Sequence, residues 1–485
     1  MQKKFLSNLF LIVLLNLLVK PFFILGIDAE VQNRVGEAVY GNYFALLNFS
    51  FLLNILLDLG ITNFNTRNIS QHPQLIAKHF YKILWLRFSL FLLYAVFTGL
   101  MGLVVGFSGK EFYLLAILMV NQFMVAIIQF SRSNFGGLQL FKTDAFISIL
   151  DRSLLIIFCS ILLWTNWIGT DFKIEWFVYA QTLAYGLTAI ISIILLYSKI
   201  GKLKFDFKKN FNAVMIKQSF PYALLILLMM MYSRMDAVML ERLLPDGDIQ
   251  AGIYAQGYRY LDAVNMFALL FAGLLLPIFS KLIRQKENIT PMMEMSFRIL
   301  GGVSILIALT AFFFRYELLS LRYENVTIES AETFGFLILS FIPISVTYIF
   351  GTLLTASGSL KKLNRMAFGG LLLNLVLNFI FIREWQAKGA AIATLITQSL
   401  MAIIQVILVY KEFKMKVNLK LYLSFFALVI CLSTVYLLLN YFAQIDAMMN
   451  MLLVLLTGVF SIFILKLFRL DDLKIVLSKS EKNKL

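Results

Sequence analysis

The chain has 485 residues, of which 60% are hydrophobic and only 14% charged, with a formal net charge of +16. A soluble domain carries about 25% charged residues, so this much apolar side chain excludes a water-soluble fold and makes lipid the surrounding solvent. The apolar runs are joined by links of at most about 20 residues, too short for a soluble catalytic domain, and no G-x-x-x-x-G-K-[ST] is present to hydrolyse ATP.

At ~20 apolar residues per crossing the length accommodates roughly fourteen membrane spans. In chain order they are expected near 5–27, 39–62, 83–107, 111–131, 146–168, 174–198, 218–243, 251–280, 293–315, 333–357, 366–382, 389–410, 420–442 and 448–468. The first run is too long for a cleaved leader and is read as an uncleaved span. Lys and Arg in alternate links number about 30 on the N-terminal side and about 8 opposite, with about 5 inside spans, which predicts cytoplasmic N- and C-termini. The excess positive charge therefore reports topology, and no nucleic-acid partner is expected. His72 and His79 share one polar link without a nearby cysteine, and Cys159 and Cys431 lie in apolar runs. No metal site, cofactor or enzymatic activity is predicted from them.

The basic link Lys199–Lys217 divides the chain, and the same landmarks recur on each side of it. Gly41-Asn-Tyr43 opens span two and Gly252-Ile-Tyr254 opens span eight; Gly137-Leu-Gln-Leu-Phe-Lys142 follows span four and Ala356-Ser-Gly-Ser-Leu-Lys-Lys362 follows span ten. Copies separated by an even number of spans share one orientation. The fold expected is an all-α polytopic membrane protein: a six-helix bundle over 1–200, a basic linker over 201–217, a pseudo-symmetric six-helix bundle over 218–411, and two extra helices with a basic tail over 412–485.

Several stretches carry a resemblance. Val35-Gly-Glu-Ala-Val-Tyr-Gly-Asn-Tyr43, Asp58-Leu-Gly-Ile, Asn65-Thr-Arg67, Ser219-Phe-Pro221, Tyr232-Ser-Arg-Met-Asp236, Gly252-Ile-Tyr-Ala-Gln-Gly-Tyr-Arg259, Leu276-Pro277, Asn374–Asn378 and Gly389-Ala-Ala-Ile-Ala-Thr394 resemble the polysaccharide-biosynthesis flippases of the MOP (multidrug/oligosaccharidyl-lipid/polysaccharide) exporter superfamily. The resemblance implies a monomer in a bacterial inner membrane. By alternating access it would move an undecaprenyl-pyrophosphate-linked oligosaccharide, an O-antigen or other surface-polysaccharide repeat, from the cytoplasmic to the periplasmic leaflet. It also implies membrane lipids, a polysaccharide polymerase and assembly proteins as partners. Two relatives of the same superfamily supply alternatives, a cation-coupled multidrug exporter and a flippase for the lipid-linked peptidoglycan precursor. Multidrug relatives usually carry an acidic coupling residue in span one, and no Asp or Glu occurs between Phe5 and Ile27. The span-one arginine–aspartate pair usual in peptidoglycan-precursor flippases is missing too.

An anion crossing a low-dielectric slab needs a hydrated path lined with counter-charge, and arginine suits phosphate because its planar fork binds two oxygens. The substrate-binding candidates are Lys20, Arg67, Arg234 and Arg259; the ion-coupling candidates are Asp58, Asp236 and Asp262. Lys20 precedes Pro21 and either contacts phosphate in a cavity or snorkels to the interface. Arg67 either receives incoming pyrophosphate at the cytoplasmic end of span two or is a positive-inside loop residue. Arg234 and Asp236, deep in span seven, point about 200° apart around the helix and each needs a partner from elsewhere. Arg259 and Asp262 share a helix face, so the arginine either lines the cavity or forms a structural pair. Arg87, Asp151 and Arg152 are expected near cytoplasmic span ends, and Asn374 and Asn378 are expected to hydrogen-bond between helices.

Overall fold

In hydrocarbon every backbone N–H and C=O must be satisfied within its own segment, which leaves helices as the form open to such runs. The computed structural model of the chain describes residues 16, 18–62, 65, 69, 76–138, 140–165, 172–200, 210–442 and 446–468, and among these no strand occurs. A π-helical turn, Phe23–Asp28, leads into α1 (Ala29–Val35), α2 (Glu37–Leu52), α3 (Ile55–Asp58), α4 (Ile76–Val105), α5 (Gly109–Gly137), α6 (Phe141–Trp164), α7 (Ile174–Ile200) and α8 (Asn210–Leu243). Then come α9 (Gly247–Arg284), α10 (Thr290–Phe313), α11 (Arg315–Ser320), α12 (Ile328–Leu339), α13 (Phe341–Ala356), α14 (Leu360–Glu412), α15 (Leu419–Phe442) and α16 (Ala447–Ile464). The chain is a polytopic all-α membrane protein.

Eleven helices among the described residues are long and apolar enough to cross a bilayer, and they contain twelve of the expected spans. α14 carries two of them, because its backbone leaves helical geometry at Trp385 and Gln386, where Gln386 has φ 49°. The helix therefore turns back within the link read between 382 and 389. Span two is the departure from a simple rod: its apolar run divides into α2 and α3, broken at Leu53 and Asn54, and ends on Leu59 (φ 45°) and Gly60 (φ 79°). The first part of span one, residues 5–15, lies outside the described residues, as do most of the basic linker and the C-terminal tail. Pro21 has no N–H to donate, and the helix widens into the π turn immediately after it.

Lys3–Gly252 and Ile253–Leu485 form two compact units. In the first, α5 packs against α7, α2, α4 and α6, and α8 lies along α2. In the second, α14 packs on α13 and α12, while α10 contacts α13, α15 and α16. Large side chains on α4 such as Trp85, Val96, Leu103 and Val104 (81% exposed) cover the face away from the packing, as a lipid-facing helix requires.

α2 and the start of α9 approach more closely than side chains allow. A Cβ on Gly41 would overlap the carbonyl oxygen of Asp248, and one on Gly252 would overlap that of Glu37. Each glycine thus meets the residue four places before the other, the reciprocity that a local two-fold relation produces. Gln32 adds a hydrogen bond from Nε2 to the Gly252 carbonyl at 3.0 Å.

Candidate functional site

Three neighbourhoods of polar groups in the first unit hold most of the charged residues singled out from the sequence. The first surrounds the break in span two. Arg87, entirely buried on α4, donates from Nη2 to Asp58 Oδ1 (2.7 Å) and to Thr62 Oγ1 (2.9 Å), and from Nη1 to the Leu57 carbonyl (3.4 Å). Asp58 in turn accepts the Thr62 N–H at 3.1 Å. One turn further back Asn54 donates to Gln122 Oε1 (2.7 Å), and about two turns back Tyr94 donates to the Ser50 carbonyl (2.7 Å). The backbone carbonyls of Ser50 and Leu57 around the break are satisfied by side chains of α4, and Gln122 of α5 ties down the side chains of Asn54 and Ser50, which is what allows a broken helix in lipid.

The second neighbourhood is built on the π turn. It buries Asp28, whose Oδ2 accepts the Tyr40 hydroxyl at 2.9 Å. The Arg152 guanidinium lies over the rings of Phe23 (4.9 Å) and Tyr185 (5.5 Å) and donates to the Tyr185 hydroxyl (2.8 Å). It also feels the charges of Asp151 and Asp28. Lys20 sits within the fields of Asp151, Asp144, Arg132 and Arg152, and Arg132 pairs with Asp144 at 2.7 Å. Three cations and three carboxylates therefore share this part of the unit, so each positive charge has a compensating negative one nearby.

The third lies along α8. Arg234 donates from Nη1 to Asn48 Oδ1 on α2 (3.2 Å), and its guanidinium is 5.3 Å from the Phe51 ring centroid. Asp236 on the same helix is buried. In the second unit Arg259 is buried and approaches Asp262 at 3.8 Å, the i, i+3 contact read from the sequence.

The structure thus places Arg234 and Asp236 on one helix and Arg259 with Asp262 on another. It ties Asp58 to Arg87 and sets Lys20 among the charges of α5 and α6. Arg67 lies outside the described residues. Arg87, Asp151 and Arg152, expected near span ends, lie about three turns inside α4 and α6, which begin at Ile76 and Phe141, before the apolar runs. Asp28 was passed over because it stands one residue beyond the window searched for a span-one carboxylate. Glu111, Glu241 and Arg242 were also missed. Asn374 and Asn378 are buried and bond to one another, Nδ2 to Oδ1 at 3.1 Å.

A broken second span, a kinked helix pair and buried ion pairs characterise this all-α polytopic membrane fold. The same fold occurs in an inward-facing multidrug resistance MATE family transporter of the MOP superfamily (TM-score 0.61, 14% identity, covering 81% of this chain and 94% of that one). It also occurs in the Lipid II flippase MurJ in an inward closed conformation (TM-score 0.64, 16% identity, 95% of this chain and 97% of that one). An uncharacterised membrane protein of Methanocaldococcus jannaschii is 24% identical over 381 residues, covering 75% of this chain and 88% of its own. The family model described as polysaccharide biosynthesis protein matches residues 5–283. The chain belongs to the polysaccharide biosynthesis protein family.

Proposed function

We propose that the protein translocates a polyprenyl-pyrophosphate-linked oligosaccharide from the cytoplasmic to the outer leaflet of a bacterial inner membrane. Its termini would be cytoplasmic, and the bundles of 1–200 and 218–411 would provide alternating access. Membership of the polysaccharide biosynthesis family is the observation that carries this reading, and the arginines held inside spans supply the chemistry a diphosphate needs. Arg234, Arg259, Lys20 and Arg67 are the proposed contacts to the diphosphate. Asp236, Asp262 and Asp58 are the proposed coupling carboxylates, although Asp58 must first release Arg87. With the interior negative, outward movement of the anion is favoured by ~2.3 kcal/mol per charge per 100 mV, so no ATP is required.

Deletion of the gene, followed by leaflet-resolved analysis of lipid-linked sugars in spheroplasts, tests the reading. Complete oligosaccharide-lipid is expected to accumulate facing the cytoplasm. Arg234→Ala is expected to reproduce the block at an unchanged level of protein in the membrane. Unchanged leaflet distribution together with altered drug efflux would replace this reading with a cation-coupled exporter of small molecules. One observation favours that second reading: Asp28, at the end of span one, supplies a buried carboxylate where multidrug relatives usually have one.

A further inference from the structure

At the end of the first unit marked by the turns at Gly36, Gly106 and Pro245, three side chains from two helices form a charge cluster that the reading above does not use. α5 starts here with a capping box: Ser108 Oγ accepts the Glu111 N–H, and the Glu111 carboxylate accepts the Ser108 N–H. Glu111 Oε1 also accepts from Asn42 Nδ2 of α2 (3.1 Å) and from Arg242 Nη2 of α8 (2.6 Å). Arg242 stacks on Phe107 at 4.3 Å and reaches the Gly106 carbonyl. This guanidinium therefore clasps the last turn of α8 to the first turn of α5. Beside it, the Gly41 and Gly252 backbones are in contact.

A third charge does not fit a neutral clasp. Glu241, the neighbour of Arg242 in sequence, is 92% buried by its side-chain exposure of 8%, and Glu111 is nearly as covered at 13%. Glu241 Oε2 lies 2.6 Å from Arg242 Nε, yet both atoms are buried without a hydrogen bond among the described residues, since adjacent side chains cannot align for one. Asp248 of α9 adds a further negative field on Glu241. Other charged groups at this end are Lys110, exposed beside Glu111, Asp246, which accepts from Gln250 Nε2 at 3.3 Å, Glu37 at the start of α2, and Lys173 and Glu175 at the start of α7; Asn42 of α2 is neutral. One guanidinium among buried carboxylates leaves negative charge uncompensated, and two carboxylates in one site hold a proton that isolated ones would release.

We propose that Glu241 and Glu111 bind one proton between them, and that its loss separates α5 from α8, making this cluster a proton-operated latch on the outward end of the transport path. The latch rests on the alternating-access reading for its purpose, but not on any choice of substrate. Its sign follows from charge. The closed cluster holds one proton more than the open one, where both carboxylates are hydrated. The closed form is therefore favoured below the site's own titration range and lost as pH rises through it. A proton taken from the outer medium would then close this end, and its release would permit opening.

The test uses the full chain in nanodiscs, with Cys159→Ser and Cys431→Ser, and spin labels on Lys110→Cys of α5 and Pro245→Cys just past the end of α8, both exposed. Electron–electron distance distributions are measured across a pH titration with protons as the only added ligand. The expected result is a pH-dependent exchange between near and far populations, their ratio changing about tenfold per pH unit within the titrating range for one linked proton. Glu241→Gln and Glu111→Gln should each flatten that response, with Glu241→Gln held in the near population, and Arg242→Gln should favour the far one. A distribution indifferent to pH in the parent chain overturns the proposal. So does a parental titration persisting in either carboxylate variant, because the proton would then sit elsewhere. Failure of the leaflet assay with a working latch would instead point to a different cargo.

Discussion

Arg87→Met tests whether the broken second span is held by a side chain or by its own backbone. The guanidinium is wholly enclosed, while the Asp58 side chain retains 20% exposure. Removing the cation strands a half-buried carboxylate and withdraws the donors to Thr62 Oγ1 and the Leu57 carbonyl. Breaking a buried pair from one side costs about 3–5 kcal/mol. The long 3.4 Å bond to Leu57 adds little, and the partial exposure of Asp58 lets water offset part of the loss, so about 3 kcal/mol is expected. Asp58→Asn keeps an acceptor for the Thr62 N–H and removes the stranded charge. The double variant should therefore lie closer to the parent than Arg87→Met alone, with a coupling of about 1–3 kcal/mol. The assay is reversible unfolding in mixed detergent micelles with all four members of the cycle. Additive single effects, or an Arg87→Met loss under about 1 kcal/mol, would mean that the pair does not hold the break.

Two further substitutions probe packing. Gly41→Ala places a methyl group on the Asp248 carbonyl and is expected to destabilise the purified protein by about 1–3 kcal/mol. Gly99→Ala, in α4 with nothing within 4 Å of its new methyl, should stabilise by about 0.5–1 kcal/mol; thermal unfolding of the pair reads the opposite signs. Arg152→Lys keeps the charge but loses the planar stacking on Phe23 and Tyr185. It should lower stability more than Tyr185→Phe, which deletes one hydrogen bond worth about 1–3 kcal/mol, and equal effects in chemical denaturation would contradict the stacking account.

The spans could be read because lipid demands continuous apolar runs, and hydropathy responds to little else. That same property hid the break in span two: Phe51-Leu-Leu-Asn-Ile-Leu-Leu-Asp58 is apolar throughout except for two residues, and the residues that pay for its missing hydrogen bonds, Arg87 and Tyr94, are about thirty to forty positions away. Hydropathy also says little about where a helix begins. α4 and α6 extend past their apolar runs by a turn or two, so Arg87, wholly buried, and the partly exposed Arg152 lie about three turns inside their helices. The repeat landmarks Gly41 and Gly252 were visible as a recurrence, whereas their mutual contact was not, since one sequence carries no information about which surfaces meet. Arg242 and Glu111 stand 131 residues apart, and neither belongs to a local motif that would announce a pair. The i, i+3 contact of Arg259 and Asp262 was legible because helix geometry alone brings those positions together.

The balanced charges around Lys20 and Arg152 bear on how an anion would pass. A guanidinium held bare in low dielectric is itself destabilised, and a path lined with unpaired cations would either lose its fold or bind a diphosphate too tightly to release it. A cation already compensated by a carboxylate avoids both outcomes. On the proposed reading an arriving phosphate would displace the carboxylate from the guanidinium, the carboxylate would take up a proton or a metal cation, and departure would reverse the exchange without leaving a bare charge at any stage. On the proposed reading, Arg259 with Asp262 has this form, and so do Lys20 and Arg152 with Asp151. The carboxylates then matter as much as the arginines, because they set how weakly the diphosphate is held. Neutralising Asp262 to Asn should accordingly tighten substrate binding while slowing release, whereas removing Arg259 should weaken binding from the start.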